Sequence, residues 1–495
     1  MFSHFDRMNF DKRIFLVALV VYLITAYYSV GYFQADEHYQ IIEFAGLLDG
    51  TNGPEDLTWE YSTKIRSSLQ PVLAYAILQG CESLSVPDPY TKALILRVLT
   101  ALVSLSIIYY FTRSRKKLVP STYWKLFLTL SYFLWFLPFI NVRFSSETWS
   151  GLFLLLSVGL AMRDRISNGG YAIIGITMGL SVLFRYQIAF AYFGMLAWFL
   201  YSEKSSLGQL LLNLSSFAGI LFIGVLIDSW FYGEWTLALF NNFQANIIEG
   251  KAAEYGSTPW YFYLFLVFRY TFFPIGTFIL LSLITTVITR PKSLYVWVII
   301  PFLVGHSLID HKELRFLFPL VNLLPILIIW LMQTVLRSVG NATGRIVVGS
   351  FFGFIFIINI VALPIASMKP AGAGRVAITE QIHDLNTKKR AVVLHTSGNN
   401  PYSPWGLTTN FYREPNAEFH DMGSTPGDQL NPLGNDANVF LVIRASEVND
   451  TTTRTLIQEL NLHEIGKSVP GFTLPFLQLY GYRMGDIILL YGEGS

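Results

Sequence analysis

Two adjacent carboxylates, Asp36 and Glu37, stand where the first long apolar run of the chain ends. Ionisable residues at a membrane boundary are costly, and they are candidates for function by default. Adjacent helical residues point about 100° apart, so one carboxylate can enter a cavity while the other orients a neighbour. Partial desolvation makes a carboxylate more basic, which suits a general base that removes a proton from a sugar hydroxyl. The structural alternative is a pair of helix-end charges that lipid headgroups hydrate.

A second polar cluster, the segment Asp310-His-Lys-Glu-Leu-Arg-Phe316, lies at another helix boundary. Lys312 and Arg315 can recognise phosphate through charge-assisted hydrogen bonds, and Arg can do so in a bidentate manner. His311 adds a titratable group, and Glu313 can hold one of the cations in place. The alternative is anchoring by cations that snorkel to the headgroups, which favours the cytoplasmic side of a membrane.

Other polar residues near these boundaries have a structural explanation beside the functional one. Trp59 and Glu60 precede Arg66 in one loop. Trp is common at bilayer interfaces, and Glu60 can simply pair with Arg66. Arg143 and Glu147 have the spacing of an i,i+4 salt bridge at a helix start, which explains that pair without function.

The composition predicts a membrane protein. Of 495 residues, 53% are hydrophobic and only 14% are charged, whereas soluble domains carry roughly a quarter charged residues. A net charge of +2 without a basic face gives no reason to expect a nucleic-acid partner. The one cysteine, Cys81, excludes an internal disulfide and is typical of a packed small hydrophobe.

Apolar runs of the length that crosses a bilayer, ~20 residues, recur along the chain. The candidates are 14–33, 93–111, 121–141, 147–162, 171–184, 186–201, 207–231, 260–288, 293–309, 315–336 and 345–367. The first run, with its basic flank, resembles an uncleaved signal anchor and predicts a retained span.

The positive-inside rule decides the ambiguous run 67–84. If that run lies along the interface, the basic residues within 113–117 and those of every later basic turn face the cytoplasm. This predicts an all-α polytopic protein with about eleven spans. It requires 171–201 to fold as a hairpin that turns near Arg185, where a single long helix is the alternative. Arg185 is then either a lipid-phosphate contact or a turn residue.

In this topology one face of the membrane carries nearly all the unusual chemistry. The predicted exterior loops are 34–92, 142–147, 185–187, 232–259, 310–314 and 368–495. They contain both polar clusters. Two domains follow from this division, a transmembrane domain 1–369 and an exterior domain 370–495.

The exterior segment 370–495 has the pattern of a small α/β domain. Three β-rich runs, 391–395, 439–443 and 486–490, and a helical run near 452–460 are separated by Gly, Pro and Asn. The stretch near 397–436 is predicted to be a poorly structured insert. The sequence contains no His/Cys cluster with metal-ligand spacing and no Gly-rich phosphate loop.

The order of these motifs resembles the family 22 mannosyltransferases, which include the third mannosyltransferase of GPI-anchor synthesis and the ER enzymes that extend the lipid-linked N-glycan precursor. The likeness covers about residues 30–400. Its matching pieces are Ala35–Gln40, Leu57–Tyr61 with Ile65–Ser67, Tyr255–Trp260 and His311–Phe316. Gln34-Ala35 replaces the usual His-Pro, and Tyr61 stands where Trp is common in the family.

The resemblance implies a GT-C fold and an inverting transfer of mannose from a polyprenyl (dolichyl) phosphate to a glycan or glycolipid. Asp36 matches the residue proposed as the general base in the family, and Glu37 lies beside it. The resemblance places this site on the side of the membrane that faces the ER lumen or the bacterial periplasm. The phosphate would be bound by His311, Lys312, Arg315 and Arg66. Because cations can offset the charge of this leaving group, neither a metal nor another cofactor is expected. The supporting or substrate-binding residues would be Gln40, Trp59, Glu60, Arg143, Glu147, Arg185 and Glu313.

Three other functions stay open. Another GT-C transferase that moves arabinose, glucose or aminoarabinose from a polyprenyl carrier would use the same two carboxylates and the same polar cluster at 310–316. A multi-pass lipid or sugar transporter fits less well, because transporters place polar groups near the bilayer midplane, usually in paired halves. A non-catalytic assembly subunit is the third.

Overall fold

The computed structural model of the chain describes residues 2–115, 117–271, 273–386, 390–396, 398–422, 437–479 and 483–493. Its helices as far as residue 201 are α1 Phe2–Tyr28, α2 Ala35–His38, α3 Phe44–Asp49, α4 Trp59–Ser62, α5 Leu69–Ser83, α6 Pro89–Ser114, α7 Trp124–Phe133, α8 Leu137–Asn141, α9 Ser146–Ala161, α10 Asn168–Phe184 and α11 Ala189–Tyr201. The next are α12 Leu207–Tyr232, α13 Ala238–Phe243, α14 Lys251–Glu254, α15 Phe262–Tyr270, α16 Phe273–Thr289, α17 Leu294–Ser307, α18 Leu324–Ser338 and α19 Ala342–Ser367. The last helices are α20 Arg375–Leu385, α21 Thr451–Glu459 and α22 Leu474–Leu479.

Four described helical segments are long and apolar enough to cross a membrane by length and composition. They are Pro89–Ser114, Leu207–Tyr232, Leu314–Ser338 and Ala342–Ser367. Shorter apolar helices of 10–17 residues are Ser146–Ala161, Asn168–Phe184, Phe273–Thr289 and Leu294–Ser307. This is the pattern of an integral membrane protein, while the number of about eleven spans stays a prediction.

Two predicted spans are interrupted where proline or an irregular connection breaks the helix. The run 121–141 divides into α7 and α8, and Pro138 lies in the first turn of α8. The run 260–288 divides into α15 and α16, and Pro274 is the second residue of α16. Proline is accepted in a first turn because the N–H it lacks would be unsatisfied there. A prediction from apolar runs alone therefore reads two neighbouring helices as one span.

The predicted break near Arg185 is confirmed. Helix α10 ends at Phe184, a 3₁₀ turn covers Tyr186–Ile188, and α11 begins at Ala189. Helix α10 packs against α9 and α12, whereas α11 packs against α17. The α11–α17 approach is so close that a Cβ on Gly194 would overlap the carbonyl of Trp297.

The spatial proximity of backbone positions divides the chain into two compact units, each made of segments that are separate in sequence. The first consists of Met1–Leu23, Thr63–Gln70 and Val98–Ala366, and the second of Ile24–Ser62, Pro71–Arg97 and Ser367–Ser495. The domain boundary expected between residues 369 and 370 stays a prediction.

The described part of the second unit contains a five-stranded mixed sheet of order β2-β1-β3-β5-β4. The strands are β1 Arg390–His395, β2 Ala417–Asp421, β3 Ala437–Arg444, β4 Leu462–Lys467 and β5 Ile488–Glu493. Strand β1 pairs in parallel with β2 and β3, while β5 pairs antiparallel with β3 and β4.

Apolar side chains cover both faces of this sheet, which confirms a small C-terminal α/β region. Ile378 and Ile382 of α20 pack on one face, and Leu456 and Ile457 of α21 pack on the other. Within the predicted insert, residues 398–422 contain β2 and short turns. Residues 397 and 423–436 lie outside the described residues.

Candidate active site

The acidic turn α2 begins after an extended residue, Gln34 (φ −135°, ψ 154°), and carries Asp36 and Glu37 in its first turn. Carboxylates are favourable at such a start because backbone N–H groups point toward it. Glu37 is buried, and its Oε2 accepts a hydrogen bond of 2.7 Å from the N–H of Phe33. Asp36 is half-buried. Glu37 therefore holds the start of the turn, and Asp36 is the more exposed of the two.

A buried polar network follows the acidic turn. His38 Nε2 lies 2.7 Å from Glu43 Oε1, a five-residue spacing that suits the π-helical turn Tyr39–Glu43. The second carboxylate oxygen of Glu43 accepts a hydrogen bond of 2.7 Å from Asn52 Nδ2. Glu43 Oε1 also accepts a 3.2 Å bond from the N–H of Phe411. One carboxylate thus ties the acidic turn to a segment more than 360 residues later in the chain.

Aromatic rings enclose the imidazole of His38. The ring of Tyr32 stacks on it at a centroid distance of 4.9 Å, and the ring of Tyr412 does so at 5.3 Å. Asn410 Nδ2 donates to Asn52 Oδ1 at 2.7 Å and extends the network. The sequence reasoning missed this network. The signal that the sequence offers for this network is the pair His38 and Glu43, two polar residues five positions apart in a largely apolar stretch.

Gln40 and Glu60, two predicted supporting residues, are brought together. Gln40 Nε2 donates to Glu60 Oε1 at 2.8 Å, and both side chains are buried. Trp59 is half-buried at the start of α4. A buried amide is satisfied by such a bond and costly without it, so this pair fixes α4 relative to the acidic turn within the second unit.

The first unit contains a basic cluster, which we define as Glu147, Arg185, His311, Glu313 and Arg315. Arg185 Nη1 donates to Glu147 Oε1 at 2.8 Å, and Arg315 Nη1 lies 3.6 Å from the same oxygen. Arg315 donates to both oxygens of Glu313, from Nε at 2.8 Å and from Nη2 at 2.9 Å. His311 Nε2 lies 2.9 Å from Glu313 Oε1. Two guanidinium groups, one imidazole and two carboxylates, all of them predicted site residues, therefore meet in a charge-assisted network with one bidentate pair.

The ring of Phe316 supports both guanidinium groups of the cluster. Its centroid is 4.6 Å from Cζ of Arg185 and 5.2 Å from Cζ of Arg315, within the range of cation–π attraction. Planar groups held at their edges and faces lose little further freedom when they bind an anion. Arg143 is buried nearby in sequence, with Cζ 5.6 Å from the ring centroid of Phe139.

Lys312 is directed to the backbone and not to the cluster. Its Nζ donates to the carbonyls of Thr258 at 2.9 Å and Ile309 at 2.6 Å. Burial lowers the pKa of Lys312, and the charge of Asp310 opposes this shift. In this arrangement the ammonium joins the 255–260 turn to the 309–316 segment and so stabilises the loop that carries Arg315.

Arg66 lies on a segment of the first unit whose backbone is held by side chains. Tyr232 Oη donates to the carbonyl of Arg66 at 2.8 Å. The buried carboxylate of Asp228 accepts two bonds of 2.7 Å from Ser68, one from its N–H and one from its hydroxyl. Asn242 Nδ2 donates to the carbonyl of Ile65. The sequence analysis did not identify the side chains that bind this backbone, because they lie about 160 residues or more away in the chain.

The structure thus groups the predicted site residues in two sets, one in each unit. Asp36, Glu37, Gln40, Trp59 and Glu60 belong to the second unit, and Arg66, Arg143, Glu147, Arg185, His311, Lys312, Glu313 and Arg315 belong to the first. Among the described residues, no group of three His, Cys, Asp or Glu side chains is arranged to hold a metal ion. The expectation that no metal is required stays a prediction.

Comparison with protein families gives one match that covers most of the chain. A model described as the Alg9-like mannosyltransferase family matches residues 13–416. The matched range includes every residue of both sets.

Several curated relatives are similar over part of their length. GPI mannosyltransferase 3 of Debaryomyces hansenii is 30% identical over 332 residues, which are 62% of this chain and 57% of the relative. Mannosyltransferase APTG1 of Arabidopsis thaliana is 27% identical over 66% of this chain and 58% of its own length. A probable Dol-P-Man:Man(7)GlcNAc(2)-PP-Dol alpha-1,6-mannosyltransferase of Schizosaccharomyces pombe is 29% identical over 36% of this chain and 32% of its own. The chain therefore spans less than two thirds of the length of these relatives.

Two solved structures of a bacterial protein share the architecture of this chain. ArnT from Cupriavidus metallidurans bound to undecaprenyl phosphate has a TM-score of 0.54 at 13% sequence identity, over 97% of this chain and 98% of that chain. Its apo state has a TM-score of 0.52 at 13% identity, over 99% of this chain and all (100%) of that chain. At this identity the likeness is one of fold.

Proposed function

The chain belongs to the Alg9-like mannosyltransferase family, and from this premise we propose that it transfers mannose from a polyprenyl (dolichyl) phosphate to a glycan or glycolipid. The Schizosaccharomyces pombe relative supports the choice of donor, since its name contains Dol-P-Man. The name GPI mannosyltransferase 3, which several relatives carry, supports a glycolipid acceptor of the GPI type. The proposed site faces the ER lumen or the periplasm.

The observation that carries the proposal is the unequal use of the two carboxylates in the acidic turn. Glu37 accepts the N–H of Phe33 and is buried, whereas Asp36 is more exposed. We assign Asp36 as the general base, because a base must reach the proton that it removes. Glu37 positions the turn that carries it.

The reaction balances with one base and a stabilised leaving group. The acceptor hydroxyl oxygen forms a bond to the anomeric carbon as the bond from that carbon to the phosphate oxygen breaks. The hydroxyl proton passes to Asp36, and the polyprenyl phosphate leaves with the bonding electron pair. Attack from the face opposite the phosphate converts a β-linked donor to an α-mannoside, as the logic of inverting glycosidases requires.

The basic cluster is the proposed site for the phosphate of the donor. Arg315 and Arg185 are held by carboxylates and by the ring of Phe316, so little reorganisation is needed when negative charge develops on the leaving oxygen. Lys312 contributes by fixing the loop, since its ammonium contacts backbone carbonyls. Arg66 is the further candidate on its own rigid segment.

The test is transfer by the purified full chain in lipid nanodiscs. Dolichyl-phosphate mannose is incubated with a panel of mannosides and mannose-containing glycolipids, and the anomeric configuration of the product is read by NMR. We expect an α-linked product. Asp36→Asn should lower the turnover by about 10²- to 10⁴-fold, the usual share of a general base, without loss of donor binding. Retained turnover in Asp36→Asn, or a β-linked product, contradicts the proposal.

Glu37→Gln is the matched control for that variant. The amide keeps the size of the side chain but is a weaker acceptor for the N–H of Phe33, so we expect lower thermal stability and a smaller loss of turnover. If Glu37→Gln abolished turnover and Asp36→Asn did not, the roles of the two carboxylates would be exchanged.

A further inference from the structure

The helical segment 238–248, made of α13 and the π-helical turn Gln244–Ile248 that continues it, has an unusual side-chain pattern. We call it the loop helix. It follows α12, one of the four segments long and apolar enough to cross a membrane. The loop helix is placed by its own contacts inside the first unit, and the inference below does not depend on the proposed reaction.

The inward face of the loop helix is small and polar. Ala238, Asn242 and Ala245 are buried, with Ala238 1% and Ala245 4% exposed. Their i, i+4, i+7 spacing marks one face of a helix. A helix of a soluble protein would bury apolar residues there, so this face is the reverse of the usual arrangement.

The polar inward residues bind backbone and so fix the rotation of the helix. Asn241 Nδ2 donates to the carbonyl of Lys64, and Asn242 Nδ2 donates to that of Ile65, both at 3.2 Å. Any rotation of the loop helix that buried its other face would break both bonds. The outward face is therefore imposed by the fold.

That outward face is apolar and exposed. Phe240 is 60% and Ile248 is 69% exposed, and the other large apolar side chains on it are Leu239, Phe243 and Ile247. Contiguous exposed apolar side chains on a folded protein mark a surface that another phase or partner covers.

Two features identify bilayer lipid as the covering phase. The same exposed apolar character continues on α12, where Phe222, Ile223 and Leu226 are exposed and only 11% of the apolar window is buried. The stretches before and after the loop helix carry exposed Trp235, Tyr255, Trp260 and Tyr261, the residue types that concentrate at the membrane–water interface.

We propose that the loop helix lies in the interface of the bilayer, parallel to the membrane plane, with Phe240, Phe243 and Ile247 among the acyl chains. Its neighbourhood contains Glu234, Glu249, Lys251 and Glu254 and lacks a basic face, so attachment is by apolar burial and does not need anionic lipid. Because Asn241 and Asn242 bind the 64–65 backbone, the lipid-seated helix also supports the segment that carries Arg66.

The test is the accessibility of a nitroxide spin label in nanodiscs of phosphatidylcholine. The only cysteine of the sequence is Cys81, so Cys81→Ser provides a background without thiols. Single cysteines are introduced as Phe240→Cys, Phe243→Cys and Ile247→Cys. Phe222→Cys on α12 is the lipid-facing control, and Glu459→Cys on α21, which is exposed, is the aqueous control.

We expect labels at 240, 243 and 247 to collide with oxygen more often than the label at 459 and less often than the label at 222, which lies ten residues inside α12, and to be shielded from a water-soluble nickel chelate. A high collision rate with the nickel chelate at these positions, as at 459, would place the face in water and overturn the proposal. Low collision rates with both reagents would place it against protein, in a second copy of the chain or another subunit, and would overturn it too. Three labelled positions keep the test decisive if one variant does not fold.

Discussion

Arg315 organises a large share of its surroundings through a single guanidinium group. It donates to both oxygens of Glu313, lies 3.6 Å from Glu147 Oε1 and packs on the ring of Phe316. The residue type of Arg315 and its place at a helix boundary predict that it binds phosphate. Residue type could not reveal that its edges are already engaged, since Glu147 lies in a helix more than 160 residues earlier.

We predict that Arg315→Ala raises the KM for the polyprenyl-phosphate donor by about 10- to 100-fold, since a hydrogen bond between charged groups contributes about 1.5–3 kcal/mol. The KM for the acceptor should change little. Arg315→Lys should recover only part of the effect, because Lys keeps the charge but not the bidentate geometry. Steady-state kinetics with each substrate varied in turn measures this.

Arg163→Ala is the control for Arg315, because Arg163 is exposed and stacks on Tyr110 outside the cluster. Equal effects of Arg315→Ala on the two substrates would remove Arg315 from the phosphate site.

At the same scale, Lys312 and His38 mark the limit of prediction from residue types. The sequence predicts that Lys312 binds phosphate, which stays a prediction; the sequence did not reveal that its Nζ lies within 3.5 Å of the carbonyl oxygens of Thr258, Ile309 and Asp310. His38 was passed over, yet it is stacked between two tyrosines and bonded to Glu43. In both cases the partners come from other segments, which a local pattern does not contain.

At the scale of elements, close helix packing depends on single glycines. A Cβ at Gly194 of α11 would overlap the carbonyl of Trp297 and approach the ring of Pro301, both in α17. We predict that Gly194→Ala forces α11 and α17 apart and lowers the free energy of unfolding by about 1–3 kcal/mol, the usual cost of overpacking. Thermal unfolding in nanodiscs measures the loss.

Gly219→Ala in α12 is the matched control. No described atom lies within 4 Å of a Cβ placed at Gly219, and alanine favours a helix interior over glycine by up to about 1 kcal/mol. This variant should therefore be as stable as the parent or more so. If both variants lowered the melting temperature equally, the close packing of α11 on α17 would not be the cause.

The strands of the C-terminal sheet illustrate which elements a sequence predicts. The three predicted β-rich runs correspond to β1, β3 and β5, the inner strands. The two missed strands, β2 and β4, are the edges, and their sequences Ala-Glu-Phe-His-Asp and Leu-His-Glu-Ile-Gly-Lys are largely polar. Edge strands carry charge because this discourages pairing with other chains. An apolar pattern therefore finds inner strands and overlooks edges.

At the scale of the whole molecule, the predicted GT-C architecture is confirmed as a fold by the likeness to ArnT. Composition sufficed for the membrane class, because a charge fraction of 14% cannot cover a soluble surface of this size. Helix breaks at Pro138 and Pro274 were missed, because an apolar run does not reveal where a proline begins a new helix. The number of spans and their orientation remain proposals.

The second unit should respond to pH through Glu380 of α20. Burial raises the pKa of Glu380 from its ordinary 4.5 to about 7, Arg97 opposes this, Asp384 and Asp88 add to it, and His383 again opposes it. Between these pH values the folded state binds more protons than the unfolded one. The contribution is therefore fully present below pH 4.5 and is lost as the pH rises through about 7.

We predict that the protein loses stability between pH 5 and 8, and that Glu380→Gln loses less by about 2 kcal/mol, allowing for the partial exposure of this side chain. The measurement is the melting temperature in nanodiscs at both pH values. Glu459→Gln, at an exposed position of α21, is the control and should follow the parent. An identical pH dependence of Glu380→Gln and the parent would exclude Glu380 as the group responsible.

The order of the strands has a consequence for biosynthesis. In the described sheet β4 pairs with β5, and β5 also lies beside β3. The ribosome makes β4 before β5, so a nascent chain that has emerged only as far as Lys467 exposes the free edges of β3 and β4 at once. Insertion of Ile488–Glu493 between them is the event that closes the sheet, and until then the growing polypeptide is a natural client for chaperones.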